Sequence, residues 1–554
     1  MRLGYVGIRN YRGIGWLELP VDRVTTLIGE NAYGKSNLLD ALLACLGPGA
    51  ADGTFSFQLQ DFGDATGDPE PPIEIELGFR ETSDDEWCRD EGCGVLRPYV
   101  YHGRRGDRRL SLRVRTVASP DGTIATTTAF LDGEGRIVGP PPGREAVEVL
   151  RRRCPFLLLK ADRYFTRPSR SHGDALARPL SIEERLAAEI SDAYQALMRP
   201  HDPQEASTLQ GGLAAARAWV DRFGGERLRD RMRHFFPAPP HSDRGTGVSL
   251  AARSMSLMLV LGALLDARAE TTFGEGALPI LAIEDAEANL HPVLLASVAA
   301  VIEAIPAQKI ITTNSGELLS LLPLPSIRRL VRADGRTTAH RVERDTLSDD
   351  ERRRIGYHVK ANRGSALFAR AWLLVEGETE FWLLPQLAEV MGVDLALEGV
   401  RLMEFAQCGV EPLVKLADDL GIGWHLLADG DSAGRGYESA AAALLRGRDA
   451  GGRITRLDER DVEHCLWNAG YADVYRDAVR ITATRRALRR PRAENATPTI
   501  ERALRARSKP GMAIEVAEAA RGRGREGVPE PLRRAIESVV AAARCGAVGG
   551  APEG

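Results

Sequence analysis

Two groups of residues in this 554-residue sequence have the types and spacing of reactive centres. The first is Gly29-Glu30-Asn31-Ala32-Tyr33-Gly34-Lys35-Ser36, which fits G-x-x-x-x-G-K-S at every fixed position. The backbone N–H groups of such a loop, through Gly29, Asn31 and Gly34, cradle phosphate oxygens together with the helix N-terminus that follows. Lys35 would reach the β- and γ-phosphates, and the Ser36 hydroxyl would hold Mg²⁺. ATP with Mg²⁺ is the implied ligand. A P-loop also needs an acid at the end of a buried strand, and Ile280-Leu281-Ala282-Ile283-Glu284-Asp285 supplies two. Glu284 would complete the Mg²⁺ shell, and Asp285 would orient or deprotonate the attacking water.

The second group is a set of carboxylates. Glu376 follows the apolar run Trp372-Leu373-Leu374-Val375, and Glu380 lies one helical turn further on. Asp429 and Asp431 follow His425-Leu426-Leu427-Ala428, and Asp461 and Glu463 follow a third strand-like piece at 454–457. Carboxylates gathered at one sheet edge repel. At about 4 Å and an effective dielectric near 20, each like-charged pair costs roughly 4 kcal/mol. Cations relieve that cost, and an all-oxygen set suits Mg²⁺ or Mn²⁺. Two such ions can activate water and stabilise a leaving 3′-oxygen in phosphodiester cleavage.

The elements that must hold these residues are legible in outline. A strand at Val24–Ile28 feeds the P-loop, and a helix at 35–45 leaves it. Polar–apolar alternation over 98–138, with turns at Asp107, Asp121-Gly122 and Asp132-Gly133, predicts antiparallel hairpins. Helical periodicity at 179–233 and a long apolar helix at 255–267 follow. A new strand–turn–helix alternation starts at Ala371. The expected fold class is therefore α/β, divided as 1–175 and 234–345 for a P-loop ATPase interrupted by a helical dimerisation insert at 176–233. A charged linker or connecting helix at 346–368 and a second α/β domain at 369–554 complete the chain.

Hydrophobic residues make up 44% and charged residues 27%, which excludes a disordered or fibrous chain. No apolar run reaches the length of a membrane span, and the N-terminus lacks a signal-peptide core, so a cytoplasmic location is expected. Seven cysteines without a second Cys or His pair near Cys88 and Cys93 point to reduced thiols rather than a zinc site. The net charge of −4 does not mark a nucleic-acid binder, but the stretch at 485–509 is strongly basic.

GENAYGKSNLLDAL, IEDAEANLHP and KIITTNSGELLSLLP resemble the ABC-type ATPase heads of the RecF, SMC and OLD (overcoming lysogenization defect) group. IRNYRGI at 8–14 is similar to their opening strand, where an arginine matching Arg12 approaches the nucleotide. The resemblance implies ATP sandwiched between two subunits, and hence a homodimer. Two positions depart from it. Asn314 stands where a switch histidine is usual, able to hydrogen-bond the γ-phosphate but not to take a proton at neutral pH. The signature region reads GTGVSLAARS (245–254), with Ala251 and Ala252 in place of a glycine and Ser249 as the trans contact. Both departures imply slow hydrolysis, a gate rather than a motor.

The order Glu, then Asp-x-Asp, resembles the Toprim fold, and its combination with an ABC head resembles OLD nucleases across most of the chain. By position, Glu376, Glu380, Asp429 and Asp431 match the Toprim metal ligands, with Glu376 also catalytic. Asp461 and Glu463 match the additional acidic pair of OLD enzymes. Lys509 matches their late lysine, which stabilises charge on the scissile phosphate, with Arg505 and Arg507 as neighbouring alternatives. Ser432 reads as a turn residue. The implied activity is an ATP-regulated endonuclease acting on DNA in phage defence or DNA repair, with a helicase or another defence protein as a further partner. Two readings stay open: an ATP-released nuclease toxin acting on RNA, and a non-catalytic DNA-repair scaffold.

Overall fold

The computed structural model describes residues 1–47, 57–62, 71–82, 86–89, 91–103, 106–119, 122–160, 277–288, 290–333, 335–343, 345–362, 364–483 and 496–545. The helical insert at 176–233, Ser249, the apolar helix at 255–267 and the basic residues 485–495 lie outside the described residues. The chain divides into two units, Met1–Ala339 and His340–Gly554.

The first unit is organised by one sheet, 12-stranded among the described residues. Its strands are β1 (Arg2–Tyr11), β2 (Ile14–Pro20), β3 (Val24–Ile28), β4 (Ile73–Arg80), β5 (Tyr101–His102) and β6 (Arg108–Ala118). β7 (Ile124–Leu131), β8 (Phe156–Leu159), β9 (Ile280–Ile283), β10 (Gln308–Thr312), β11 (Ile327–Ala333) and β12 (Arg336–Arg341) complete it. The order is β5-β6-β4-β1-β2-β12-β11-β3-β10-β9-β8, with β7 on β6.

The two halves of this sheet follow their residue patterns. β4 alternates buried and half-buried positions and pairs antiparallel with β1 and β6, as a strand covered on one face should. The expected hairpins at 98–138 are β5 to β7. β8, β9 and β10 are buried at every position and pair in parallel, which is why β8 and β9 read as unbroken apolar runs. In register, Thr312 pairs with Leu27, Ile311 with Ile283, and Ile283 with Leu159. The carboxyl ends of β3, β10, β9 and β8 therefore share one edge. Helix α1 (Lys35–Leu46) leaves that edge and buries Leu38, Leu39, Ala41, Leu42 and Cys45 against the sheet. β11 and β12 were not expected from the sequence. Arg328 masks the apolar pattern of β11, yet it is 1% exposed, held by Asp22 and by the carbonyls of Pro20, Pro325 and Ile327.

The second unit carries a four-stranded, wholly parallel sheet. Its strands are β13 (Ala371–Val375), β14 (Val400–Glu404), β15 (Gly423–Ala428) and β16 (Ile454–Arg456), in the order β14-β13-β15-β16. The chain goes outward from β13 to β14, then crosses back to β15 on the other side of β13. A crevice opens at such a reversal, at the carboxyl ends of the strands, and ligands bind there in open α/β sheets. The segment expected as a linker or connecting helix is largely the helix Asp349–Asn362, which belongs to this unit. It buries Ile355, and its Glu351 accepts from Lys415 Nζ at 3.0 Å. Among the described residues, Cys45, Cys154, Cys465 and Cys545 are free thiols.

Candidate active sites

The P-loop stands between β3 and α1, where its spacing placed it. Gly34 has φ +88°, and a Cβ there would lie 2.8 Å from Ile14 Cγ1. Gly29 has φ +145°, and its Cβ would lie 2.7 Å from the Leu330 carbonyl oxygen. Only glycine gives the loop this curl, which opens its backbone to a phosphate. Asn31 and Ser36 are exposed, whereas Lys35 is buried, its Nζ donating to the carbonyls of Gly29 and Glu30. Burial lowers the Lys35 ammonium below its ordinary value, against the attraction of Asp285, Glu287 and Glu30.

Glu284 and Asp285 follow β9 on the same edge. Asp285 takes φ +43°, uncommon for a non-glycine residue. Its N–H donates to Thr312 Oγ1 at 2.9 Å, and its Oδ1 accepts from Asn314 Nδ2 at 3.2 Å. Burial raises the Asp285 carboxyl, reinforced by Glu287 and Glu284. Asn314 is therefore brought to the acid. Arg12 is held beside α1: its guanidinium donates to Asp40 of that helix at 2.7 Å and to Asp61 at 2.9 Å. Lys160, just past β8, also donates to Asp40 at 2.9 Å.

Glu287 was missed by sequence reasoning. One of its oxygens accepts from Thr313 Oγ1 and the other from the Asn314 backbone N–H, each at 2.7 Å. It ties the turn after β9 to the turn after β10. The signal available was a third acid, two residues beyond Asp285.

The six expected carboxylates of the second unit come together. A cavity of about 280 Å³ is lined by Glu376, Glu380, Asp429, Asp431, Asp461 and Glu463, with Lys509 on the same wall. β13 delivers Glu376, and helix α2 (Glu378–Val390) delivers Glu380 from its first turn. β15 delivers Asp429. Asp431 caps helix α3 (Ser432–Ala442), accepting the Gly434 N–H at 2.8 Å. A Cβ on Gly434 would lie 1.9 Å from the Asp429 carbonyl oxygen, so the turn closes only with glycine there. Asp461 caps the short helix α4 (Val462–Leu466), and Glu463 is buried, accepting from Thr379 Oγ1 at 2.8 Å. Ser432 is exposed and does not line the cavity.

The electrostatics match the crowding. Burial, then Glu380, Glu376, Asp461 and Glu463, push the Asp429 carboxyl up to about 8. Burial pushes Glu380 up to about 7, with Glu463 adding to it. Glu376 is raised by burial and Asp431 and lowered by Lys509. Its Oε2 is buried without a hydrogen-bond partner. A buried, unpartnered carboxylate oxygen among raised acids fits a hard divalent cation, although no three of these side chains converge in ligating geometry among the described residues. Helix α5 (Ala496–Arg507) and helix α6 (Lys509–Arg521) complete the lining, with Thr497, Ile500, Glu501 and Leu504 from α5 and Lys509 from α6. Arg505 is paired with Glu501 and Arg507 with Glu515, whereas Lys509 makes no ion pair among the described residues. Arg460, His464 and Thr497 also line the cavity and were not singled out from sequence.

A P-loop edge and a parallel sheet with Glu376 after its first strand and Asp429-x-Asp431 after its third define an ABC-type ATPase head joined to a Toprim domain. Comparison with known proteins agrees. The chain belongs to the family described as Protein of unknown function (DUF2813), whose model matches residues 1–366, and residues 367–431 match the OLD-like Toprim domain. The protein YbjD of Escherichia coli (strain K12) is 34% identical over 98% of this chain and 99% of its own length. The DNA replication and repair protein RecF of Anaeromyxobacter dehalogenans (strain 2CP-C) is 27% identical over 58% of this chain and 94% of its own. The C-terminal region of the Burkholderia pseudomallei OLD protein aligns with 32% of this chain and 99% of its own at 20% identity, with a TM-score of 0.27. No helix among the described residues is long and apolar enough to cross a membrane.

Proposed function

We propose that the chain is an ATP-regulated, divalent-metal-dependent endonuclease that nicks or cleaves DNA. The observation that carries this reading is the gathering of six carboxylates around one cavity, with a buried, unpartnered Glu376 oxygen and Lys509 on the same wall. A scaffold has no reason to hold such repulsion. Mg²⁺ or Mn²⁺ bound there would neutralise charge and activate water for phosphodiester hydrolysis. Glu376, Glu380, Asp429, Asp431, Asp461 and Glu463 would hold the cations. Glu376 carries a raised carboxyl and an open oxygen, which suits it to accept a proton from the attacking water. Lys509 would donate to a non-bridging oxygen of the scissile phosphate. The match to a protein named for DNA replication and repair favours DNA over RNA.

The head supplies control. Gly29, Asn31, Gly34, Lys35 and Ser36 would bind ATP and Mg²⁺, with Glu284 completing the metal shell. Asp285, aimed by Thr312 and Asn314, would orient the attacking water. A homodimer closed by ATP, serving DNA repair or phage defence in the cytoplasm, completes the reading. Incubation with supercoiled plasmid in Mg²⁺ or Mn²⁺, with and without ATP, tests it. Nicking that disappears in Glu376→Ala is the expected result. Full cleavage by that variant would refute the metal-site assignment.

A further inference from the structure

His464 has no part in the reaction just described, yet it is built into the cavity wall. Asp461 Oδ1 accepts the His464 backbone N–H at 2.8 Å and lies 2.5 Å from His464 Nδ1. An ionised carboxylate only accepts hydrogen bonds, so Nδ1 carries the proton. In the neutral ring Nε2 then accepts the Thr497 hydroxyl at 2.9 Å. Capping α4 requires only the backbone bond. The ring adds a second donor to the same oxygen and a link from α4 to α5, and all three side chains line one cavity.

The arrangement decides what Asp461 can still do. Two N–H donors engage Oδ1, whereas among the described residues Oδ2 accepts no hydrogen bond and has Arg460 Nε at 3.8 Å. Oδ2 is thus the oxygen left to a cation. The imidazole fixes the carboxylate's rotation and is itself fixed by Thr497. Ligating carboxylates are commonly held by such partners, whose loss weakens metal affinity.

We infer that His464 is a positioning residue of the metal site, aiming Asp461 at the cation while tying the acid wall to the helix that precedes Lys509. This rests on reading the cavity as a metal site. The test is Mn²⁺ alone, titrated into the full-length protein and followed by the electron paramagnetic resonance of free Mn²⁺. His464→Ala should weaken the Mn²⁺ affinity about 10- to 100-fold. His464→Asn, whose amide can replace Nδ1–H at Asp461, should restore most of that affinity. His464→Gln, which reaches towards Thr497 instead, should not. Plasmid cleavage by His464→Ala should recover as Mn²⁺ is raised, which a general loss of structure would not allow. If His464→Ala does not fold, the Asn and Gln variants carry the comparison. Wild-type affinity in His464→Ala, or equal weakness in Asn and Gln, overturns the inference while leaving the metal site standing. Wild-type protein that binds no Mn²⁺ overturns both.

Discussion

Asp429→Asn isolates the repulsion at the carboxylate cavity. Burial and four neighbouring acids move the Asp429 carboxyl from its ordinary 3.8 to about 8. Between pH 5 and 7 the metal-free folded protein therefore keeps a proton on Asp429 that the unfolded chain has released. A carboxyl raised in this way adds stability below its unfolded value and loses it as pH climbs towards the folded value. While the native state binds one extra proton, stability falls by about 1.4 kcal/mol per pH unit. Through this group alone, the wild-type unit should lose on the order of 2.7 kcal/mol from pH 5 to pH 7. The asparagine amide cannot titrate, so the variant lacks that component of the slope. For a unit the size of His340–Gly554, the difference corresponds to roughly 5–10 °C in melting temperature. The assay is thermal unfolding of both proteins in EDTA at pH 5, 6 and 7. Wild type should melt progressively lower relative to the variant as pH rises. Saturating Mn²⁺ should flatten the wild-type slope, because the cation replaces the proton. Parallel slopes for the two proteins in EDTA would refute the reasoning.

Other perturbations separate the two sites. Lys35→Ala should abolish binding of a fluorescent ATP analogue while sparing metal-dependent nicking measured without ATP, and loss of both would deny the sites their independence. Glu287→Gln replaces a carboxylate that holds Thr313 and Asn314 with a weaker acceptor. Charge-assisted hydrogen bonds are worth about 1.5–3 kcal/mol, so kcat for ATP hydrolysis should fall on the order of 10- to 100-fold with KM unchanged. A KM effect alone would assign Glu287 to binding. Gly434→Ala forces a methyl group against the Asp429 carbonyl and should cost about 1–3 kcal/mol or more in the second unit, read by denaturant titration. A variant of unchanged midpoint would mean that the turn relaxes freely.

Much of both sites was legible because their residues are fixed by short stretches of chain. The P-loop needs only consecutive dihedral angles, two of them accessible to glycine at Gly29 and Gly34. Glu376 and Asp429 are placed by apolar runs that can only be buried strands, and Asp431 and Asp461 by their positions as helix caps. Less legible was β11, where a buried Arg328 breaks the apolar pattern and is satisfied by partners about 300 positions away in the chain. The charged segment at 346–368 read as a linker or connecting helix. What the sequence did not show is that Glu351 accepts from Lys415 and that Ile355 is buried.

By itself the sequence determined the phosphate loop, the strand-end acids and their order along the chain. Each depends on residues close enough to constrain one another through the backbone. Only the tertiary structure decided which partners those groups meet. It set Arg12 on Asp40 and Asp61, Asn314 on Asp285, and Glu287 across two turns. It also left Lys509 unpaired among the described residues while Arg505 and Arg507 were engaged, and joined His464 to both Asp461 and Thr497. The raised carboxyls of Glu380 and Asp429 belong to the same class. Proton affinity follows burial and nearby charge, and both are created when segments distant in sequence pack around one cavity.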